Sequence, residues 1–105
     1  MKEYNKLVRD RIPEFLTGKR ISFETHIADD DEFHLKLNEK LTEESHEFQE
    51  TKTEEEAKEE MADIFEVIDT ILALRGWTRE DIQRIQGKKH EDRGGFTQRI
   101  ILERS

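Results

Sequence analysis

The stretch TEEEAKEEMADIFEVIDTILALRG, Thr53 to Gly76, decides how the chain folds. Ala57, Met61, Ile64, Phe65, Ile68, Ile71 and Leu72 recur at helical spacing, and Val67 and Leu74 widen the stripe they form. Thr53 with Glu56 three residues on is a capping box, and Gly76 after Arg75 is a helix-ending C′ residue. One helix of about five turns is therefore predicted, with an apolar stripe broader than a surface helix needs. Two acids interrupt that stripe. Glu60 projects between Val67 and Ile71, and Asp63 lies at the same edge beside Leu74. Glu66 and Asp69 repeat the spacing but project to the opposite, polar face.

Upstream, LTEESHEF (Leu41 to Phe48) poses the same problem. A helix is predicted from about Glu32 to Glu50, with Asp29 to Asp31 as candidate caps and Leu37, Leu41 and Phe48 on one face, Phe33 at its edge. Glu44 falls between Leu41 and Phe48, near the centre of that face. Glu47 and Lys40 share its flank, while Glu43 and His46 project toward solvent. The TKTEEE break makes the two long helices antiparallel neighbours, predicting an all-α helical bundle built around them and completed by dimerisation.

Shorter elements flank this pair. In YNKLVRDRIPEFL regular structure should end near Ile12, because Pro13 biases the residue before it away from helix. TGKR reads as a turn and ISFETHI as a short strand or extended piece. Thr78 with Asp81 opens a third, shorter helix carrying Ile82 and Ile85 inward, ended by Gly87 or by Gly94-Gly95. FTQRIILER is predicted to be an extended tail or a strand. Short extended segments thus lie at the ends, and 105 residues suit a single domain, 1–105.

Composition narrows the function. With 32% hydrophobic and 42% charged residues, the chain is thin for an independent core. It has no cysteine, which excludes disulfides and thiolate metal sites. No apolar run approaches the roughly 20 residues of a membrane span, and MKEYNKLVRDR lacks a secretory apolar region. A soluble cytoplasmic protein without membrane contacts is expected. The net charge of -8 argues against binding nucleic-acid duplexes. Residues 1–20 carry +3, residues 21–74 carry -14 and residues 75–105 carry +3, so an acidic middle lies between basic ends.

Two i,i+3 carboxylate pairs on adjacent antiparallel helices can converge on one spot. Four like charges together need a cation among them. A hard divalent ion with oxygen ligands supplies it, and Mg²⁺ suits carboxylates plus substrate phosphates best. The alternative is that the acids pair with Lys40 and the basic ends, or rim the stripe. A ferritin-like di-iron centre needs two inward E-x-x-H motifs; the chain has one, Glu43 to His46, and it projects outward.

EESHE, twelve residues, then EMAD, is E-E-x-x-E followed by E-x-x-D. This resembles the MazG-like, all-α nucleotide pyrophosphohydrolase superfamily, which also contains phosphoribosyl-ATP pyrophosphohydrolase. YNKLVRDRIPE and KKHEDRGGF resemble a small stand-alone branch of it. The resemblance implies a helical bundle assembled as a homodimer or homotetramer, with Mg²⁺ (or Mn²⁺ in its place) held by Glu44, Glu47, Glu60 and Asp63. It implies cleavage of a nucleotide between its α- and β-phosphates to a monophosphate and pyrophosphate, a house-cleaning activity.

On that reading Glu44 belongs to the catalytic set, and Glu47 or, less favourably placed, Glu43 orients or deprotonates the attacking water. Lys6, Arg9, Arg11, Lys40, Lys88, Lys89 and Arg93 are candidate phosphate-binding residues, with Arg preferred for forked contacts. Individually, Lys6, Arg9 and Arg11 suit exposed or pairing roles as well. Tyr4, Trp77 and Phe96 can each stack on a base or pack in a core. Two alternatives stay open: a non-catalytic helical module that uses the wide stripe as an interface, and a hydrolase acting on phosphoribosyl-ATP itself.

Overall fold

The computed structural model describes residues 2–105. Its regular structure is helical throughout: α1 (Ile12–Gly18), α2 (Asp30–Gln49), α3 (Glu54–Arg75) and α4 (Arg79–Arg93). The chain divides into two compact units, the first ending at Ile71 and the second running Leu72–Ser105, so that α3 continues across the boundary.

In the first unit α2 and α3 form the predicted hairpin, joined by residues 50–53. α2 begins where the acids predict: Asp29 has extended backbone and its Oδ1 accepts the Glu32 N–H at 2.9 Å. Three further acids occupy the first turn, on the side the helix dipole favours. At the start of α3 the Thr53 hydroxyl accepts the Glu56 N–H at 3.1 Å. The reciprocal bond shifts by one residue, for the Glu56 carboxylate accepts the N–H of Lys52 at 3.0 Å instead. Residues equally far from the turn then meet across the hairpin. Glu44 stands five residues before the end of α2 and Glu60 six after the start of α3, about 8 and 9 Å of helix rise.

Little is buried. Leu37 at 2% exposure and Val67 at 7% are the buried apolar residues of this unit, and the other buried side chain is an acid, Glu44. Leu35, Phe65 and Ile68 remain exposed to a third or more. The stripe is wider than one antiparallel neighbour can cover, which is what its breadth in sequence implied.

Two readings of the flanks need correction. Pro13 opens a helix rather than closing one: α1 starts at Ile12 with Pro13 in its first turn. A missing N–H there costs nothing, because the first four amides of a helix have no partner within it. Among the described residues there is no strand, so the strand alternative falls for ISFETHI and FTQRIILER; both lie outside regular structure, and the latter carries a turn with Arg99 at φ 60.

In the second unit α3 ends as predicted. Gly76 takes φ 72, its N–H bonds to Ala73 O at 3.2 Å, and the Trp77 N–H bonds to Leu72 O at 2.9 Å. This is the paired closure of a Schellman motif. α4 opens on the complete Thr78–Asp81 capping box and runs through Gly87 to Gly94, whose φ of 78 ends it. Ile82 and Ile85 are exposed rather than inward, as are Trp77 and Phe96. No helix among the described residues is long and apolar enough to cross a membrane.

Candidate metal centre

The hairpin brings the inward acids together. Glu44, Glu60 and Asp63 each offer an oxygen within 4.8 Å of the others, and Glu43, Glu44 and Glu47 do the same. Glu44 belongs to both groups, at 6% exposure, and Glu43, Glu60 and Asp63 are partly buried. Four carboxylates therefore gather around the buried Glu44.

Their protonation reflects the crowding. Glu60 is pushed up to about 7, first by a hydrogen bond shared with Glu44, then by burial and by the charges of Glu44, Glu47 and Asp63. A hydrogen bond between two carboxyl groups requires that one of them keep its proton. Glu47 is also raised, by burial first and then by Glu44 and Glu43, with a hydrogen bond to Glu60 working the other way.

Cations answer part of the charge. Lys40 Nζ lies 3.5 Å from Glu44 Oε1 and 3.8 Å from Glu43 Oε2. Lys6 Nζ lies 3.2 Å from Glu43 Oε1. Arg9 forks between Asp63 Oδ1 at 2.7 Å and Glu66 Oε1 at 3.5 Å. Pairing with Lys40 and the N-terminal cations, set against metal binding as the alternative, is thus present in the fold. It is also incomplete. Glu44 Oε2 and Glu60 Oε2 are buried with no hydrogen-bond partner among the described residues. Two orphaned carboxylate oxygens facing a hard oxygen donor set fit a divalent cation, so the cluster can hold a metal ion.

Helical projection located Glu44, Glu47, Glu60 and Asp63 well enough to bring them into this cluster, but it misplaced one acid. Glu43 does not turn to solvent; its side chain is 30% exposed and held by Lys6 and Lys40. Glu66 is exposed as projected, at 57%, and Arg9 bridges it to Asp63 from outside. The i,i+3 spacing of Asp63 and Glu66 was the available signal for that bridge. His46 is exposed as projected, 3.2 Å from Glu50, which leaves the E-x-x-H motif without an inward imidazole.

Among the candidate phosphate-binding residues, Lys6, Arg9 and Lys40 stand at the acids. Arg11 turns to Glu14 at 3.0 Å and to the face of Phe15. Lys88, Lys89 and Arg93 are exposed on α4 in the second unit. Tyr4 is flanked by Lys2 and Lys6, and Trp77 by Arg75, as cation–π pairs.

An all-helical chain with these carboxylates on two long helices is of the MazG-like nucleotide pyrophosphohydrolase class, as its motifs suggested. The chain belongs to the phosphoribosyl-ATP pyrophosphohydrolase family, whose model matches residues 1–90. It is by that membership an enzyme, a nucleotide pyrophosphohydrolase. No curated protein and no solved structure matches it.

Proposed function

We propose that the chain hydrolyses a nucleoside triphosphate, or a related nucleotide, between the α- and β-phosphates in a reaction that depends on Mg²⁺. The observation carrying this reading is the Glu44–Glu60 pair, with one buried, unpartnered oxygen on each side. Glu44, Glu47, Glu60 and Asp63 would hold Mg²⁺, with Mn²⁺ able to replace it. Bound there, the ion would neutralise phosphate oxygens and lower the pKa of a coordinated water.

The chain's own residues do the rest. Glu47, raised from its ordinary value, is a stronger proton acceptor than an ordinary carboxylate, which suits it to take the proton of the attacking water. Glu43 is the second candidate, though Lys6 and Lys40 already engage it. Water adds, the bond to the bridging oxygen breaks, and a nucleoside monophosphate and pyrophosphate leave. Lys6, Arg9 and Lys40 are the cations next to the acids and would meet phosphate charge there. Arg11, Lys88, Lys89 and Arg93 are the outer candidates for the same task.

The substrate has two candidates. A house-cleaning role on unwanted nucleoside triphosphates is the first, and phosphoribosyl-ATP, suggested by the family's description, is the second. Exposed apolar residues on α2 and α3 support assembly as a homodimer or homotetramer, and a cytoplasmic location belongs to the same reading. Fully burying one Leu, Ile or Phe side chain stabilises by about 1.5–3 kcal/mol, and a second copy would gain that several times over.

The test is pyrophosphate release from canonical, deoxy- and damaged nucleoside triphosphates and from phosphoribosyl-ATP, with and without Mg²⁺. Release that needs Mg²⁺ and disappears in Glu44→Gln is expected. Release unaffected by chelator, or retained in that variant, would overturn the reading.

A further inference from the structure

Residues 2–9 have no regular structure, and Asn5 takes φ 46, a left-handed conformation that Asn tolerates better than most residues. The segment is nevertheless tied to the hairpin at three points. Lys36 Nζ of α2 donates to Asn5 O at 2.6 Å, Lys6 reaches Glu43, and Arg9 reaches Asp63 and Glu66. Two of the three ties end on carboxylates of the acidic cluster.

Those ties share their carboxylates with the groups that fit a divalent cation. Glu43 lies with Glu44 and Glu47, and Asp63 with Glu44 and Glu60. Lys6 and Arg9 together bring two positive charges, the same as one divalent ion. An ion held by Asp63 would repel a guanidinium 2.7 Å from one of that residue's oxygens. The Lys6 and Arg9 side chains are 41% and 56% exposed, so their ion pairs are worth little and yield readily. Buried Glu44 and partly buried Glu60 lie deeper, and no residue of the segment hydrogen-bonds to their orphaned oxygens.

We propose that Lys6 and Arg9 are a built-in competitor for the acidic cluster. They and a divalent cation exclude each other from Glu43 and Asp63, so that loading the cluster frees residues 2–9 and turns both cations toward substrate phosphate. This rests on the proposed metal-dependent hydrolysis and adds an order to it: cation first, then the N-terminal segment, then the nucleotide.

The experiment combines calorimetric titration with Mg²⁺ alone and nitrogen-15 relaxation of the full chain. Arg9→Gln and Lys6→Gln are compared with the unaltered protein, helical circular dichroism confirming that each folds. Removing a competitor should tighten Mg²⁺ binding by about 2- to 5-fold in each variant. In the unaltered chain, Mg²⁺ should lower the heteronuclear NOE of residues 4–9. If Mg²⁺ binds but that NOE holds, or Arg9→Gln binds Mg²⁺ more weakly, competition is overturned; Arg9 would then be a positioning residue for Asp63, with the hydrolase reading intact. If Mg²⁺ does not bind at all, that reading fails and the competition with it.

Discussion

Glu44 on α2 and Glu60 on α3 meet across the hairpin with carboxylate oxygens within 4.8 Å of each other, and each keeps one buried carboxylate oxygen without a partner among the described residues. Lys40 approaches only Oε1 of Glu44, at 3.5 Å. The pair therefore opposes folding when nothing cationic sits beside Oε2. Leaving a charged buried group unsatisfied costs about 1–3 kcal/mol or more, comparable to most point substitutions.

Replacing Glu44 by Gln removes that charge at its most buried point. In chelator the variant should melt higher than the unaltered protein, by about 1–2 kcal/mol of stability. Its hydrolysis should fall below detection, and Mg²⁺ should no longer raise its melting temperature. The unaltered protein at a Mg²⁺ concentration a hundred times Kd should gain about 2.7 kcal/mol. A thermal scan of both proteins, with and without Mg²⁺, checks all of this. Equal Mg²⁺ stabilisation of the two would remove Glu44 from the ligand set.

Glu60 makes stability pH-dependent, with a definite sign. Its folded value of about 7 lies above the ordinary 4.5, so the folded chain binds this proton more tightly than the unfolded one. The contribution is fully present below about 4.5 and is lost as pH rises through about 7. In chelator, melting temperature should fall across that window, and Glu60→Gln should flatten the fall. Mg²⁺ should reverse the slope, because metal ligation needs the ionised carboxylate. A fall of equal depth in Glu60→Gln would assign the effect to another group.

The hairpin was legible because both long helices carry strong periodic stripes and caps: Asp29 at α2, Thr53 at α3, Gly76 at the end of α3. Glu44 and Glu60 were legible for the same reason, since a single acid at the centre of a stripe is hard to misplace. Glu43 was not. It sits one residue, about 100° of rotation, from Glu44, and a projection treats a long side chain as if it ended at its Cβ. Lys6, 37 residues away in sequence, holds it there together with Lys40, and no helical pattern encodes the Lys6 contact. Pro13 misled differently, because a proline marks a helix start as readily as a helix end. The irregular segments around Phe23 and Ile100 carry β-branched residues without a neighbouring strand to pair with, and local propensity alone does not make a sheet.

The second unit offers an independent check on local physics. Thr78 Oγ1 accepts the Asp81 N–H at 3.1 Å, and Asp81 Oδ2 accepts the Thr78 N–H at 2.8 Å. The backbone bond to Thr78 holds the Asp81 carboxyl below its ordinary value, with the Thr78 hydroxyl and Arg84 adding to it. A depressed carboxylate contributes stability above its ordinary value of 3.8, lost as pH falls through the folded value. Thr78→Ala should cost about 1 kcal/mol and weaken this acid-side dependence. Amide exchange along Arg79 to Arg84 should accelerate while Mg²⁺ binding stays unchanged. Unaltered exchange there would mean that α4 does not depend on its cap.

Glu47 separates holding the metal from moving the proton. It lies in the Glu43–Glu44–Glu47 group and is raised by burial first, then by the charges of Glu44 and Glu43. As the base, Glu47→Gln should lower kcat by about 10²- to 10⁴-fold. It should also abolish the acid limb of the pH–rate profile while Mg²⁺-linked stabilisation largely persists through Glu44, Glu60 and Asp63. As a ligand alone, its loss should weaken Mg²⁺ binding, and saturating Mg²⁺ should restore the rate with the acid limb intact. Rates measured across pH at several Mg²⁺ concentrations distinguish the two. Glu43→Gln belongs beside it: if that variant, not Glu47→Gln, loses the acid limb at saturating Mg²⁺, the proton passes through the residue that Lys6 releases.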